Sequence, residues 1–220
     1  MGRMRPLLRR MLRGCRDLVL GPREEPIIDT LIRMDQRSPT FFSAIDYVNY
    51  EQVPGDVVEF GVFTGVSLSL LAKGHSFDPK GMQRRFVGFD SFEGLPPLAE
   101  THARWREGAC ATTVSWHPLV EPGARVTPDI TRNLFAACQL DPPELHVGRF
   151  DHTASTCFPS PYSAVALVHL DCDLYQSTKD ALSYLLQHNH IAAGAVLLFD
   201  DWNCNNWGSK WDCFQLFQYR

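Results

Sequence analysis

Short apolar runs alternate with helical windows from Val57 to Asp200. Five runs read as strands: Val57–Val62, Arg85–Asp90, Glu144–Val147, Ala164–Asp171 and Ala195–Asp200. They are β-branched or aromatic and mostly apolar throughout rather than alternating. Strands buried on both faces have that pattern, and such strands belong to parallel sheets. Between them, Val66–Lys73, Thr127–Gln139 and Thr178–His190 predict helices. This order predicts an α/β fold with a doubly wound, mainly parallel open sheet. Upstream, a helical stretch after Pro26 carries Ile28, Leu31, Ile32 and Met34. Arg37-Ser38-Pro39-Thr40 reads as a cap, and Phe41–Tyr50 as another helix with Phe41, Ile45 and Val48 on one face. The turn at Pro54-Gly55-Asp56 separates a helical preamble, residues 1–50, from the main domain, residues 51–220. Residues 96–126 have weak periodicity and read as a long loop or insertion, a place where lids occur.

Composition narrows the class. The 220 residues suit one domain, and 45% hydrophobic with 21% charged residues excludes collagen-like, disordered and coiled-coil chains. No run of about 18 apolar residues is present, so no transmembrane helix is expected. The net charge of −4 argues against a general nucleic-acid partner. Residues 1–50 are the exception, with nine Lys/Arg against six Asp/Glu. There, residues 3–20 form a basic amphipathic pattern in which six arginines fill the gaps between Met4, Leu7, Leu8, Met11 and Leu12. Three readings of it stand: a helix packed over the domain or its active site, contact with an anionic membrane surface, and an Arg-rich targeting peptide. The seven cysteines are scattered, odd in number and form no CxxC, so a reducing cytoplasm is the simplest home.

In open α/β sheets ligands bind beyond the carboxyl ends of the strands. The first strand ends in Glu59-Phe60-Gly61-Val62-Phe63-Thr64-Gly65-Val66-Ser67, an E-x-G-x-x-x-G turn into a helix. Gly61 and Gly65 would let backbone approach a ligand. A carboxylate at Glu59 suits a cationic ligand better than a diphosphate, and S-adenosylmethionine carries both a sulfonium and an ammonium. A purely structural strand-to-helix turn is the alternative. The second strand ends in Asp90, where an acidic residue can accept hydrogen bonds from ribose hydroxyls. Further on, Asp171, Asp173, Asp200 and Asp201 fall at the mouths of what should be neighbouring strands. One such aspartate would be a helix cap, but several at adjacent strand ends repel unless a hard divalent cation such as Mg²⁺ sits among them. His169 reads as a satisfied core or supporting histidine. Cys172, flanked by acids, reads as a poor nucleophile.

Together, Glu59-Phe60-Gly61-Val62 with Gly65, Phe89-Asp90-Ser91-Phe92-Glu93-Gly94-Leu95-Pro96, Asp171-Cys172-Asp173-Leu174-Tyr175 and Gly194-Ala195 leading to Asp200-Asp201 resemble the macrocin O-methyltransferase family. The resemblance runs from about residue 40 to about residue 208 and implies a Rossmann-like, S-adenosylmethionine-dependent O-methyltransferase that uses Mg²⁺ or another hard divalent cation. It implies Asp171, Asp200 and Asp201 as metal ligands and Asp173, beside Asp171, as the catalytic base. It implies Glu59, Gly61, Thr64, Gly65, Ser67, Asp90 and Ser91 as cofactor contacts. The implied acceptor is a small molecule with a sugar hydroxyl, and metal chelation favours a vicinal diol.

Two features depart from that pattern. The stretch after Phe150, Asp151 to Pro159, is longer than a short turn. The twenty residues after Asp200, rich in Trp and Phe, leave room for one aromatic helix, so the antiparallel hairpin that usually closes such sheets is expected to be absent. The fifth strand would then be an edge for the tail or a partner subunit to cover. An inactive or truncated methyltransferase-like domain serving as an interaction module is the competing reading.

Overall fold

The computed structural model describes residues 25–97, 106–157 and 164–200. Two helices come first, α1 (Ile27–Met34) and α2 (Ser38–Tyr50). Pro39 sits in the first turn of α2, where its missing N–H costs nothing. The sheet follows as β1 (Asp56–Phe60), β2 (Phe86–Asp90), β3 (Glu144–Val147), β4 (Val165–Leu170) and β5 (Ile191–Phe199). Its helices are α3 (Val66–Phe77), α4 (Pro128–Ala137), α5 (Phe150–Cys157) and α6 (Tyr175–Gln187). All strand pairs are parallel, in the order β3-β2-β1-β4-β5. The order reverses direction between β2-β1 and β1-β4, which opens a crevice at the carboxyl ends of those strands.

The continuous apolar runs are explained by two cores. Val57 and Leu167 face a cluster that includes Ile28 and Leu31 of α1, Phe41, Ile45 and Val48 of α2, Leu70 and Leu71 of α3, and Leu134 of α4. The neighbouring Val58 and Val168 face the opposite cluster, with Phe60, Phe89, Leu170 and, from α6, Ala181, Leu182 and Leu185. Successive side chains alternate between the faces, so both must be apolar. α1 and α2 are therefore part of the main core: α2 packs on α3 and covers one face of the sheet.

Several boundaries differ from expectation. β5 begins at Ile191 rather than Ala195, because Gly194, at φ +85°, bulges inside the strand. Opposite it the register jumps from Val165↔Ile191 to Leu167↔Val196. α6 starts at Tyr175 and ends at Gln187, three residues earlier at each end than its pattern suggests. The stretch after Phe150, longer than a short turn as its sequence indicates, forms the helix α5 as far as Cys157. Within 106–126 the chain folds back through the bridge Thr112–Arg125. The backbone of Leu95 is tied to Gly108 and Ala109, so this segment pins the loop after β2. Among the described residues β4 is the only neighbour of β5, and β5 is half-buried where β4 is fully buried. The expectations for residues 3–20, for Asp201 and for the aromatic tail lie outside the described residues. No described helix is long and apolar enough to cross a membrane.

Candidate functional site

A cavity of about 730 Å³ opens at the carboxyl ends of β1, β2, β3 and β4. Gly61, Phe63, Asp90, Ser91, Gly148, Asp171 and Asp173 are among its lining residues. Its volume is that of a small-molecule site. The loops that form the wall are strained in a consistent way. Phe63 after β1, Phe92 after β2 and Asp173 after β4 all have positive φ, between +52° and +58°. Non-glycine residues adopt that region at a cost, and such strain gathers at binding sites. Asp90 holds two of these loops: Oδ2 accepts from the Phe63 amide and Oδ1 from the Phe92 amide, each at 2.7 Å. Burial pushes the Asp90 carboxyl above its ordinary range, against the pull of those amides. The Asp90 carboxylate also faces the Val62 amide, and it lines the cavity.

The glycine turn also serves the protein's own packing. Gly61 does line the cavity, at φ +90°. Its missing Cβ is also demanded by the protein itself, because a methyl there would overlap the Asp171 carbonyl. Gly65 is in the left-handed region at the start of α3, and the space where its Cβ would be is taken by the Thr131 methyl of α4, 2.5 Å away. Gly65 thus permits close approach of a helix. Glu59 is fully buried and is not among the residues that line the cavity. Its Oε1 accepts from Ser67 Oγ at 2.5 Å and meets His169 Nδ1 at 2.7 Å, while Oε2 has no hydrogen-bond partner. Thr64 and Ser67 are buried in the same turn. Ser91 lines the cavity and caps its own loop, accepting from the Glu93 amide and donating to the Gly94 carbonyl at 3.2 Å each.

Beside the cavity, ligand atoms of His169, Asp171 and Asp200 converge within 4.8 Å of one another. Asp171 belongs both to this cluster and to the cavity lining. A cation already stands there. Arg37, from the turn between α1 and α2, donates through Nη1 to Asp171 Oδ2 at 3.1 Å and to Asp200 Oδ1 at 2.9 Å. Its Nε and Nη2 are held by Asp35, at 3.1 and 3.0 Å, and its guanidinium lies 5.4 Å from the centre of the Phe41 ring. The reading of His169 as a satisfied core or supporting histidine agrees with its burial and its bond to Glu59. The sequence places Arg37 only in a cap, and no local pattern announces its contacts with Asp171 and Asp200, which lie 134 and 163 positions away in the chain.

The charges in this cluster set one another. Burial alone would strip His169 of its proton, but Asp200 and Glu59 outweigh it and carry its pKa to about 9. Burial also opposes ionisation of Asp200, and there His169 and Arg37 win, bringing it to about 2. Asp171 goes the other way. Burial and then repulsion from Asp200 raise it to about 7, which His169 and Arg37 only partly offset. Arg37 loses charge stability through burial and regains more from Asp35 and Asp200, so its pKa ends above the ordinary value. The cluster is built for positive charge: one strongly acidic carboxylate, one reluctant one, and two resident cations drawn in to balance them. The two carboxylates suit a hard divalent cation, and the imidazole would join them as a ligand only in its neutral form.

A twisted parallel sheet wound on both faces, with a ligand cavity at its switch point, is a Rossmann-like α/β domain. The family model for macrocin-O-methyltransferase (TylF) matches residues 24–217, and the chain belongs to that family. A curated relative, the 8-demethyl-8-(2,3-dimethoxy-alpha-L-rhamnosyl)-tetracenomycin-C 4'-O-methyltransferase of Streptomyces olivaceus, is 30% identical over 164 residues. That match covers 72% of this chain and 57% of the relative, so the chain spans little more than half of that protein's length. Among solved structures, the calicheamicin methyltransferase CalS11 is similar with a TM-score of 0.60 at 23% identity, covering 87% of this chain and 76% of its own. The O-methyltransferase NovP is similar with a TM-score of 0.56 at 24% identity, covering 74% of this chain and 64% of its own.

Proposed function

We propose that this chain is an S-adenosylmethionine-dependent O-methyltransferase that methylates a hydroxyl of a sugar-like small molecule, with a divalent cation, Mg²⁺ in the simplest case, at the acidic cluster. The observation that carries the reading is the position of Asp171, in the cavity lining and in the His169–Asp171–Asp200 cluster at once. A cofactor cavity and a cation site then share a wall, as metal-assisted transfer to a hydroxyl requires. Family membership and the rhamnosyl acceptor in the name of the Streptomyces olivaceus relative support the sugar-like substrate. Chelation chemistry favours an acceptor with two adjacent hydroxyls.

Each residue then has a task. Asp90, on the cavity wall, accepts from the ribose hydroxyls, while its amide bonds keep the two strained loops in place. Gly61 and Ser91 form the adjacent wall. Asp171 and Asp200, with Asp201 next in sequence, would hold the cation. The cofactor supplies an electrophilic methyl group, and the cation supplies charge that makes a hydroxyl more acidic. Asp173, two residues beyond Asp171 on the cavity wall, accepts the hydroxyl proton. Leu95, Pro96 and Leu174 give the cavity an apolar side that limits water. The remainder of the rate comes from holding the two reactants in line.

One observation favours a second reading. Arg37 neutralises the carboxylate pair without any metal, as expected of an inactive methyltransferase-like interaction module. Calorimetric titration with S-adenosylmethionine, with and without Mg²⁺, separates the two. The enzyme reading expects cofactor binding and diol methylation that Asp171→Ala abolishes. No heat of binding in either buffer refutes it.

A further inference from the structure

The geometry points to Arg37 as a displaceable counter-ion, a guanidinium seated on the same two carboxylates a divalent cation would take, so that cation loading and docking of the α1–α2 turn compete. This rests on the cation site proposed above. It assigns a function to the helical preamble, which is otherwise explained only as a cover for the sheet.

Four features support competition rather than permanent occupancy. First, the guanidinium is divided between two duties. Nε and Nη2 are bound by Asp35, whose backbone-proximal anchor is strengthened by the Arg37 amide donating to Asp35 Oδ1 at 2.8 Å. Only Nη1 reaches Asp171 and Asp200. Release therefore breaks two hydrogen bonds and leaves the anchor intact. Second, the Arg37 side chain is 36% exposed, so a freed Nη1 can be rehydrated at once. Third, His169 is 1% exposed and held by Glu59 Oε1 at 2.7 Å, whereas the arginine is the exposed neighbour of the two carboxylates. A divalent cation arriving beside the guanidinium would meet a like charge within a few ångströms, and the arginine is the group able to leave. Fourth, the seat is connected to the rest of the site. The Phe41 ring lies under the Arg37 guanidinium and edge-on to His169, with ring centroids 5.0 Å apart. Movement of the arginine is thus felt by the histidine that Glu59 orients.

By linkage, what weakens one occupant strengthens the other. Removing the arginine's charge should tighten cation binding and loosen the metal-free protein. The test titrates the whole chain with Mn²⁺ by calorimetry, for the unaltered protein, Arg37→Gln, Arg37→Lys and Asp171→Asn. Thermal melts in chelator and in Mn²⁺ accompany each titration. Arg37→Gln is expected to bind Mn²⁺ about tenfold more tightly, with a lower melting temperature in chelator and a larger Mn²⁺-induced rise. Arg37→Lys keeps the charge without the planar fork and is expected to fall between. Amide exchange at residues 35–38 of the unaltered protein should speed up when Mn²⁺ binds. Equal or weaker Mn²⁺ binding by both Arg37 variants, while Asp171→Asn abolishes it, overturns the competition and leaves the cation site standing. Absence of Mn²⁺ binding in every protein overturns the cation site and the competition together.

Discussion

Gly61 offers a measurement in which strain and overlap can be separated. It sits at φ +90° at the end of β1, and a Cβ there would lie 2.7 Å from the Asp171 carbonyl carbon and closer to its oxygen. Gly81 is at φ +77° with nothing within 4 Å of its would-be Cβ. Gly81→Ala therefore meets only the left-handed penalty, about 1–2 kcal/mol, partly offset by a stiffer unfolded chain. Gly61→Ala meets the same penalty and must also push apart the ends of β1 and β4. Those strands are joined there by the Asp171 amide donating to the Phe60 carbonyl at 2.9 Å. Backbone has no rotamer to yield, so the overlap adds about 2–3 kcal/mol, for a total of about 3–5. At 2–4 °C per kcal/mol for a domain of this size, the melting temperature should fall by roughly 10 °C, against roughly 2–3 °C for Gly81→Ala. Urea titrations and thermal melts, both followed by circular dichroism, give the free-energy and temperature shifts of the two variants. Because Asp171 is displaced, Mn²⁺ affinity should fall in Gly61→Ala and be unchanged in Gly81→Ala. Equal destabilisation of the two variants would show that the close approach of β1 to β4 is absent in solution.

Three further outcomes follow from the site. Ser67→Ala deprives the buried Glu59 of its hydroxyl donor and should cost about 1–3 kcal/mol in urea melts, with Val66→Ala on the same turn as the comparison. Metal-free stability should fall as pH rises. The protonated state of His169 is favoured by folding, so its contribution is complete below about 6.5 and lost as pH passes 9, and His169→Gln should flatten that window in chelator. Asp171 acts in the same direction at lower pH, between 3.8 and about 7, because folding disfavours its ionised form. Asp173→Asn should lower kcat by about 10²–10⁴-fold with cofactor affinity unchanged, and full turnover in that variant would remove Asp173 as the base.

The strands were legible because a strand buried on both faces has little freedom of composition. Val57–Phe60 and Val165–Leu170 are apolar at every position but Glu59 and His169, which bond each other, and their pattern cannot be a surface helix. Asp90 and Asp171 were legible for a related reason. An acidic residue directly after such a run has few purposes other than ligand or cap. What was missed is non-local or depends on backbone shape. The bulge at Gly194 moved the start of β5, since a glycine inside a strand looks the same in sequence as a glycine before one. α5 has few apolar residues and no clear period, so its helix depends on packing against β2, β3 and α6.

The sequence by itself determined the alternation of strand and helix, the parallel sheet, and the set of aspartates at the strand ends. These follow from hydrophobic burial and local chemistry, which act between near neighbours in the chain. Tertiary structure alone decided how those residues divide the work. It bonded Glu59 to Ser67 and His169, and it used Gly65 to admit Thr131. It placed Arg37 on Asp171 and Asp200, 134 and 163 residues away. Charge pairing across such separations is fixed only when the sheet and the preamble helices pack, because electrostatic partners are chosen by proximity in space and no periodicity in the chain records them.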